Sequence, residues 1–420
     1  MIPIVIPRAK HPISRRRIDE EALKVLYRLH RHGYLSYLVG GSVRDLLLGK
    51  SPKDFDVATN AHPHEINALF RNSKIIGRRF RLVHIFFKGG KVIDVSTFRS
   101  RSEFEEVQTE EGTIIRTDSF GSPGEDALRR DITINGLFYN IADFSMIDYV
   151  GGMADLERRI IRSIGDPDER FEQDPVRMIR VIRHAARTRF SIEDQTYQAI
   201  LRHREEIKQC SPSRLRDEFL RELKEGVAKP SLKLMLQTGL LFSLFPDLER
   251  ALGSRSPYRE ENQNFFLSLF DLADQLIKAG KQVSEGLLLA LFLTPFLRAV
   301  APQHRFLGER EKHLYAGQTI HWAVDQILTP FSFPRGSKET ARQILMAQPN
   351  LKKSIQKGVI PKRFRAKKYF REALLLFGIE AQAKGRKIPR ILRNAVSSDA
   401  LPWWPRELKR SHVEGKRWQP

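Results

Sequence analysis

The hydrophobic pattern changes its period once along the chain, near residue 154. Before that point apolar residues come in runs of strand length: Tyr37 to Val39, DFDVA at 54–58, LVHIFF at 82–87 and KVIDVSTF at 91–98. Helical spacing there is confined to residues 18–35, where Ile18, Ala22, Val25, Leu26 and Leu29 recur before Gly33, and to Ser42–Leu48, closed by Gly49. Gly89-Gly90 between the last two runs is a hairpin signal. Beyond residue 154 helical periodicity runs to about 385, broken at Pro212, Pro230, Pro246, Pro257, Pro334 and Pro361. The chain is therefore expected to be α+β, with a small mixed sheet backed by helices over 1–153 and an all-α remainder.

That remainder divides on the same signals into 154–225, 226–385 and a basic tail at 386–420. The 420 residues allow two to four domains. Lys plus Arg number 72 against 50 Asp plus Glu, a formal charge of +22 on a chain that is 41% hydrophobic. A folded protein with that excess expects a polyanionic partner, nucleic acid ahead of an anionic membrane. Cys210 is the one cysteine, which excludes an internal disulfide and a Cys-based zinc site and fits a cytoplasmic setting. The N-terminus has its basic residues after a short apolar stretch, unlike a secretory signal. The longest apolar run, Leu287 to Leu297, has eleven residues and contains Pro295, so no integral membrane segment is expected.

Asp54 and Asp56 flank one residue of an expected strand, so both carboxylates project from the same face. Two hard oxygen ligands side by side suit Mg²⁺, and a magnesium pair polarises a phosphate and stabilises leaving pyrophosphate. The other reading of a D-x-D is a solvated strand end. Upstream, Gly40 and Gly41 sit between a strand and a helix, where missing side chains let backbone N–H groups approach a phosphate. Ser42 follows, and Arg44 lies one turn in, within reach of a phosphate oxygen. The glycine pair alone would serve equally as a tight connection.

Farther on, DPVRMIRVIRHAAR at 174–187 sorts into two arcs at helical spacing. Met178, Ile179, Val181, Ile182, Ala185 and Ala186 form one, and Arg177, Arg180, Arg183 and Arg187 form an arginine rail suited to phosphates. Asp174 and Arg177 are helix neighbours that offer an acceptor and donors to the Watson–Crick edge of adenine or cytosine. Asp174 before Pro175 also has the form of a helix N-cap.

GGSVRD followed after eight residues by DFD resembles the nucleotidyltransferase superfamily of DNA polymerase β, and YLVGGSVRDLLLGKSPKDFDVATN at 37–60 resembles the class II bacterial poly(A) polymerases and CCA-adding enzymes. The likeness continues through about residue 190. It implies a polymerase-β-like head at 1–153, a helical neck carrying the base-selecting motif at 154–225, and a helical body with an RNA-binding region at 226–385. The implied reaction is template-independent addition of nucleotides to RNA 3′ ends, using ATP as substrate with a two-metal Mg²⁺ site at Asp54 and Asp56.

In RRDITINGLFYN, the resemblance gives Arg130 and Asn135 contacts to ribose and phosphates and makes Asp131 an active-site acid. An ion pair of Asp131 with Arg129 or Arg130 is the plainer alternative. Asp94 in VIDVSTFR falls where the family carries a third acidic residue. Asp174, Arg177 and Arg180 match the base-selecting EDxxR motif, except that Gln173 stands where the family has Glu.

IIGRRFRLVHI at 75–85, ISRRRIDEEALKVLYRL and DYVGGMADLERRIIRSIGDPDERF resemble the poly(A) polymerase side of the family. The first expectation is thus polyadenylation of single-stranded RNA 3′ ends such as those of mRNA and other transcripts. CCA addition to tRNA is the second, and an inactive RNA-binding homologue the third, against which the intact GG, Arg44, DFD and RRD elements stand. PKRFRAKKYFR at 361–371 interleaves Phe364, Tyr369 and Phe370 with cations, a mix that either tracks single-stranded RNA or forms an ordinary charged helix.

Overall fold

The first helix shows how local sequence sets the frame. Asp19 caps it, its Oδ1 accepting the N–H groups of Glu21 (2.9 Å) and Ala22 (3.3 Å), and Glu20 and Glu21 sit in its first turn where the helix dipole favours acids. This helix, α1 (Glu20–Arg31), buries Ala22, Val25, Leu26 and Leu29. The structure, a computed structural model, describes residues 2–77, 81–108, 114–300 and 309–386. Residues 78–80 of the IIGRRFRLVHI segment and residues 387–420 of the expected tail lie outside them.

The strands are β1 (Ile4–Ile6), β2 (Ser36–Val39), β3 (Asp56–Thr59), β4 (Ser73–Ile76), β5 (Leu82–Phe86), β6 (Val92–Thr97), β7 (Arg99–Gln108), β8 (Ile114–Phe120), β9 (Leu137–Asn140) and β10 (Met146–Asp148). Eight of them form one sheet in the order β1-β10-β9-β2-β3-β6-β5-β4, and β7 and β8 form a separate antiparallel ribbon. β3 and β6 are the parallel pair, while the other neighbours in the large sheet run antiparallel. The pleat sorts side chains by face. Leu38, Val57, Val83, Val95 and Tyr139 join the core built on α1, whereas Tyr37, Val39, Ala58, Phe138 and Ile147 join Phe98 and Ala127 opposite.

Helices α2 (Gly41–Leu47) and α3 (Pro63–Leu69) connect the early strands, and α4 (Pro123–Arg129) and α5 (Gly152–Arg158) follow the ribbon and the sheet. Then come α6 (Pro167–Gln173), α7 (Val176–Thr188) and α8 (Asp194–His203). In α7 the six residues of the apolar arc are all buried, as the spacing requires. Arg183, assigned to the polar arc, is buried as well.

The chain divides into two units, Met1–Ala199 and a second from Ile200 on, with the boundary inside α8. Of the neck expected over 154–225, residues 154–199 fall in the first unit and residues 200–225 in the second. The second unit is helical: α9 (Pro212–Lys224), α10 (Ala228–Gln237), α11 (Leu240–Leu244), α12 (Glu249–Leu252), α13 (Arg259–Lys278), α14 (Glu285–Val300), α15 (Glu309–Trp322), α16 (Arg335–Gln356), α17 (Lys362–Arg365) and α18 (Phe370–Ala383). Pro212 opens α9, and Pro334 and Pro361 immediately precede α16 and α17, where a missing N–H costs no hydrogen bond.

The long apolar run becomes α14, buried continuously from Gly286 to Phe296. Phe292 meets Phe219 and Phe245, and Phe245 stacks on Phe331 at 4.6 Å between ring centres. Among the described residues no helix is long and apolar enough to cross a membrane.

Candidate active site

The glycine corner and the carboxylates meet where β2 ends. Val39 pairs with Asp56 across β2 and β3, and Asp56 stands in parallel register with Asp94 on β6. β3 begins at Asp56, so Asp54 precedes the strand rather than lying on it. The alternation still holds, with Asp54 and Asp56 exposed and Phe55 and Val57 buried. Gly40 adopts φ 73°, ψ −141°, a conformation open essentially to glycine alone. A Cβ there would lie 3.4 Å from Arg130 Nη1 and 3.5 Å from Asp56 Oδ2, so this corner, Arg130 and one carboxylate enclose a single small space. Gly40→Ala is expected to cost about 1–3 kcal/mol of stability from backbone strain alone, read as a shift in the urea midpoint.

Asp56 is partly open to solvent, with protein on the side of Asp94 and Arg130. Burial first, then the charge of Asp94, pushes its carboxyl up to about 6, with Arg130 opposing and Asp54 adding to the rise. Among the described residues no group of three His, Cys, Asp or Glu side chains is close enough to hold an ion unaided. A pair of carboxylates nonetheless fits Mg²⁺, which is commonly held by one or two carboxylates plus substrate phosphates. Asp94 is shared with His84, whose Nε2 is 3.4 Å from its Oδ1.

A second cluster surrounds Asp131. Its Oδ1 is 3.0 Å from Arg177 Nη1 and its Oδ2 2.6 Å from Arg180 Nη2, so its ion pair is with α7 and not with Arg129 or Arg130. Arg130 instead pairs with Asp126 at 2.9 Å and lies over the Phe138 ring. Asp174 ends α6, its Oδ2 3.7 Å from Arg177 Nε, and Pro175 stands at the N-cap of α7. Arg170 donates to the carbonyls of Arg129 (2.9 Å) and Arg130 (3.2 Å), tying α6 to the end of α4.

Three expected nucleotide contacts face inward. Arg44 is 1% exposed. Its Nε and Nη2 donate to Asp45 Oδ1 at 2.9 and 2.8 Å and its Nη1 to Asn135 Oδ1 at 2.7 Å, and the guanidinium lies under Gly41. The guanidinium is held between Asp45 on α2 and Asn135, with His184 of α7 beside it. Asn135 is held in the same network, and the Ser42 hydroxyl donates to the Val39 carbonyl at 2.8 Å.

Arg187 Nη2 reaches Asp45 at 3.2 Å, so the arginine rail is largely matched by Asp131 and Asp45 rather than free for phosphates. His184, which sequence reasoning missed, has Nδ1 3.4 Å from Arg44 Nη1 and Nε2 3.3 Å from Asn135 Nδ2. Burial, then the charges of Arg44, Arg183, Arg180 and Arg187, holds its ring well below the usual histidine range, so it is neutral. A neutral ring accepts at one nitrogen, so it satisfies one of these two donors at a time.

Residues 36–162 match the family described as "Poly A polymerase head domain", and residues 189–252 match "Probable RNA and SrmB- binding site of polymerase A". Poly(A) polymerase I of Escherichia coli O6:H1 is 37% identical over 412 residues, 95% of this chain and 84% of that protein. The CCA-adding enzyme of Bacillus pumilus is 36% identical over 229 residues, 54% of this chain and 56% of that protein. The fold is also that of the Bacillus stearothermophilus CCA-adding enzyme in complex with CTP, with a TM-score of 0.63 at 24% identity over 90% of this chain and 82% of that one. The chain belongs to the poly(A) polymerase family of class II nucleotidyltransferases, the family that also contains the CCA-adding enzymes.

Proposed function

We propose that the protein is a template-independent RNA adenylyltransferase. The 3′-hydroxyl oxygen of a single-stranded RNA attacks the α-phosphorus of ATP, the bond from that phosphorus to the bridging oxygen breaks, and pyrophosphate leaves. The observation that carries this reading is the span of the likeness to poly(A) polymerase I, 95% of the chain, against 54% for the CCA-adding enzyme.

In this reading Asp54 and Asp56 hold Mg²⁺, which when bound neutralises charge on the triphosphate and on the departing pyrophosphate. Gly40 and Gly41 let the backbone approach the triphosphate, and Arg130, poised between Asp126 and the Gly40 corner, supplies a cation beside it. Asp131 is a positioning residue that fixes Arg177 and Arg180. Asp174 and Arg177 read the base edge. Catalysis here is placement and charge neutralisation, with no covalent enzyme intermediate.

The test supplies ATP or CTP, separately, with an unstructured RNA primer and with a tRNA lacking its 3′ end. Runs of AMP on the primer, with negligible C addition, are expected. Robust C addition to the truncated tRNA from CTP alone would establish the CCA-adding reading, which the Bacillus pumilus match favours. Arg177→Ala is expected to loosen ATP preference by about 1–3 kcal/mol, the worth of one good bidentate base contact, measured as the ATP to CTP ratio of kcat/KM. An unchanged ratio would confine Arg177 to its ion pair with Asp131.

A further inference from the structure

The second unit carries a concentration of positive charge between the end of α16 and the start of α18. Between Lys352 and Arg371 the sequence has nine Lys and Arg and no Asp or Glu. The end of α16 supplies Lys352, Lys353 and Lys357. The chain then turns through Gly358 (φ +70°), where Val359 N–H returns to the Ser354 carbonyl at 3.1 Å. Ile360 is buried as an anchor, and the remaining cations follow on α17 and the approach to α18.

Lys352, Lys357, Lys362, Arg363, Lys367 and Lys368 are all exposed, and among the described residues no carboxylate is paired with any of them. Lysines at the end of α16 complement its dipole. Lys367 and Lys368 lie instead at the start of α18, where the helix dipole disfavours cations. Local stability therefore argues against them, and a polyanionic ligand accounts for them.

The aromatic residues of this segment point the other way. Phe370 is buried, Phe364 meets it edge-on at 5.2 Å, and Tyr369 is half-buried. Phe364 and Phe370 pack on one another within the turn. The cations face outward, whereas Phe370 packs inward and Phe364 and Tyr369 are half-buried.

We propose that the turn from Lys352 to Arg371 is a phosphate-tracking surface for single-stranded RNA, blind to base identity and separate from the nucleotide site. This rests on the reading of the protein as an RNA-modifying enzyme. Ligands recognised through phosphates alone bind with a steep salt dependence, and every cation–phosphate pair removed makes the slope of log K against log[salt] shallower by roughly 0.7 for a single strand.

The test compares full-length parent with the variant Lys362→Gln/Arg363→Gln/Lys367→Gln/Lys368→Gln. Fluorescence anisotropy with labelled oligo(A), oligo(U) and oligo(C) is read across a salt series, alongside incorporation of AMP on primers of increasing length. The expected result is weaker binding of all three oligomers by a similar factor, a salt slope shallower by about 2–3, and unchanged KM for ATP on the shortest primers with a deficit that grows with primer length. An unaltered slope, or a loss confined to one base, would overturn the proposal.

Loss of binding to vesicles of anionic lipid with RNA binding intact would also overturn it and assign the surface to a membrane. Because binding is read without turnover, a parent that binds oligomers through this turn but adds no AMP would fail the adenylyltransferase reading while leaving the surface standing. Phe364→Leu, which leaves every cation in place, is expected to bind oligomers like the parent. A loss as large as that of the quadruple variant would overturn the division between cations and aromatics.

Discussion

Asp56→Asn is expected to lower AMP incorporation by about 10³-fold, roughly 4 kcal/mol of transition-state stabilisation, while leaving RNA binding as it was. Single-turnover extension of a labelled primer measures the first and anisotropy the second. The same substitution carries a stability signature of opposite sign. Because burial and the neighbouring Asp94 and Asp54 push this carboxyl up from 3.8 to about 6, the folded state holds the proton more tightly than the unfolded chain. The ionised carboxylate therefore costs stability, a cost that builds between those two values and is complete above them. Asparagine carries no such charge. In metal-free buffer the variant should melt above the parent near neutral pH, and the gap should close as pH falls through 6 toward 3.8. A variant that polymerises normally would remove Asp56 from the reaction.

Arg44→Met should act on the fold. Arg44 and Asp45 have side chains 1% and 9% exposed and lie 2.8 Å apart, so deleting one partner leaves a buried carboxylate held by Arg187 alone of its two arginines. Breaking a buried pair in this way costs about 3–5 kcal/mol, which for a unit of this size lowers Tm by on the order of 10 °C. Asn135 and His184 lose a donor in the same step. The opposite outcome, a variant that melts like the parent but binds ATP poorly, would return Arg44 to the triphosphate.

Arg44 marks the boundary of what the sequence discloses. A residue one turn into a short helix is known to be near the glycine corner, but its direction depends on what packs above it, and that is α7, more than a hundred residues away. Arg183 repeats the lesson: a helical wheel assigns it to the polar arc, and tertiary packing buries it. His184 stood in an arginine-rich face with nothing to distinguish it.

By contrast, the D-x-D pattern was legible because the two-residue period of extended chain fixes which side chains share a face, even though β3 begins only at Asp56. The approach of Asp94 was legible only through the family resemblance, since parallel pairing of β3 with β6 requires a crossover that passes through α3, β4 and β5. The β7–β8 ribbon escaped notice for a different reason: RSRSEFEEVQ and IIRTDSF are dominated by charged and polar residues, so they lack the apolar alternation that announces a strand. The parallel pairing of β11 (Ile160–Ile161) with β12 (Ser191–Ile192) was hidden for another reason, since two-residue strands are too short to read from sequence.

The most direct examination of the catalytic assignment is a crystal structure of the protein with Mn²⁺ and a non-hydrolysable ATP analogue, with the metal located by anomalous scattering. The account predicts a peak within coordinating distance of both Asp54 and Asp56, and a triphosphate resting against Gly40 and Gly41 with its base toward Asp174 and Arg177. A metal held away from those two aspartates, or a nucleotide bound with the Gly40 corner vacant, would contradict it.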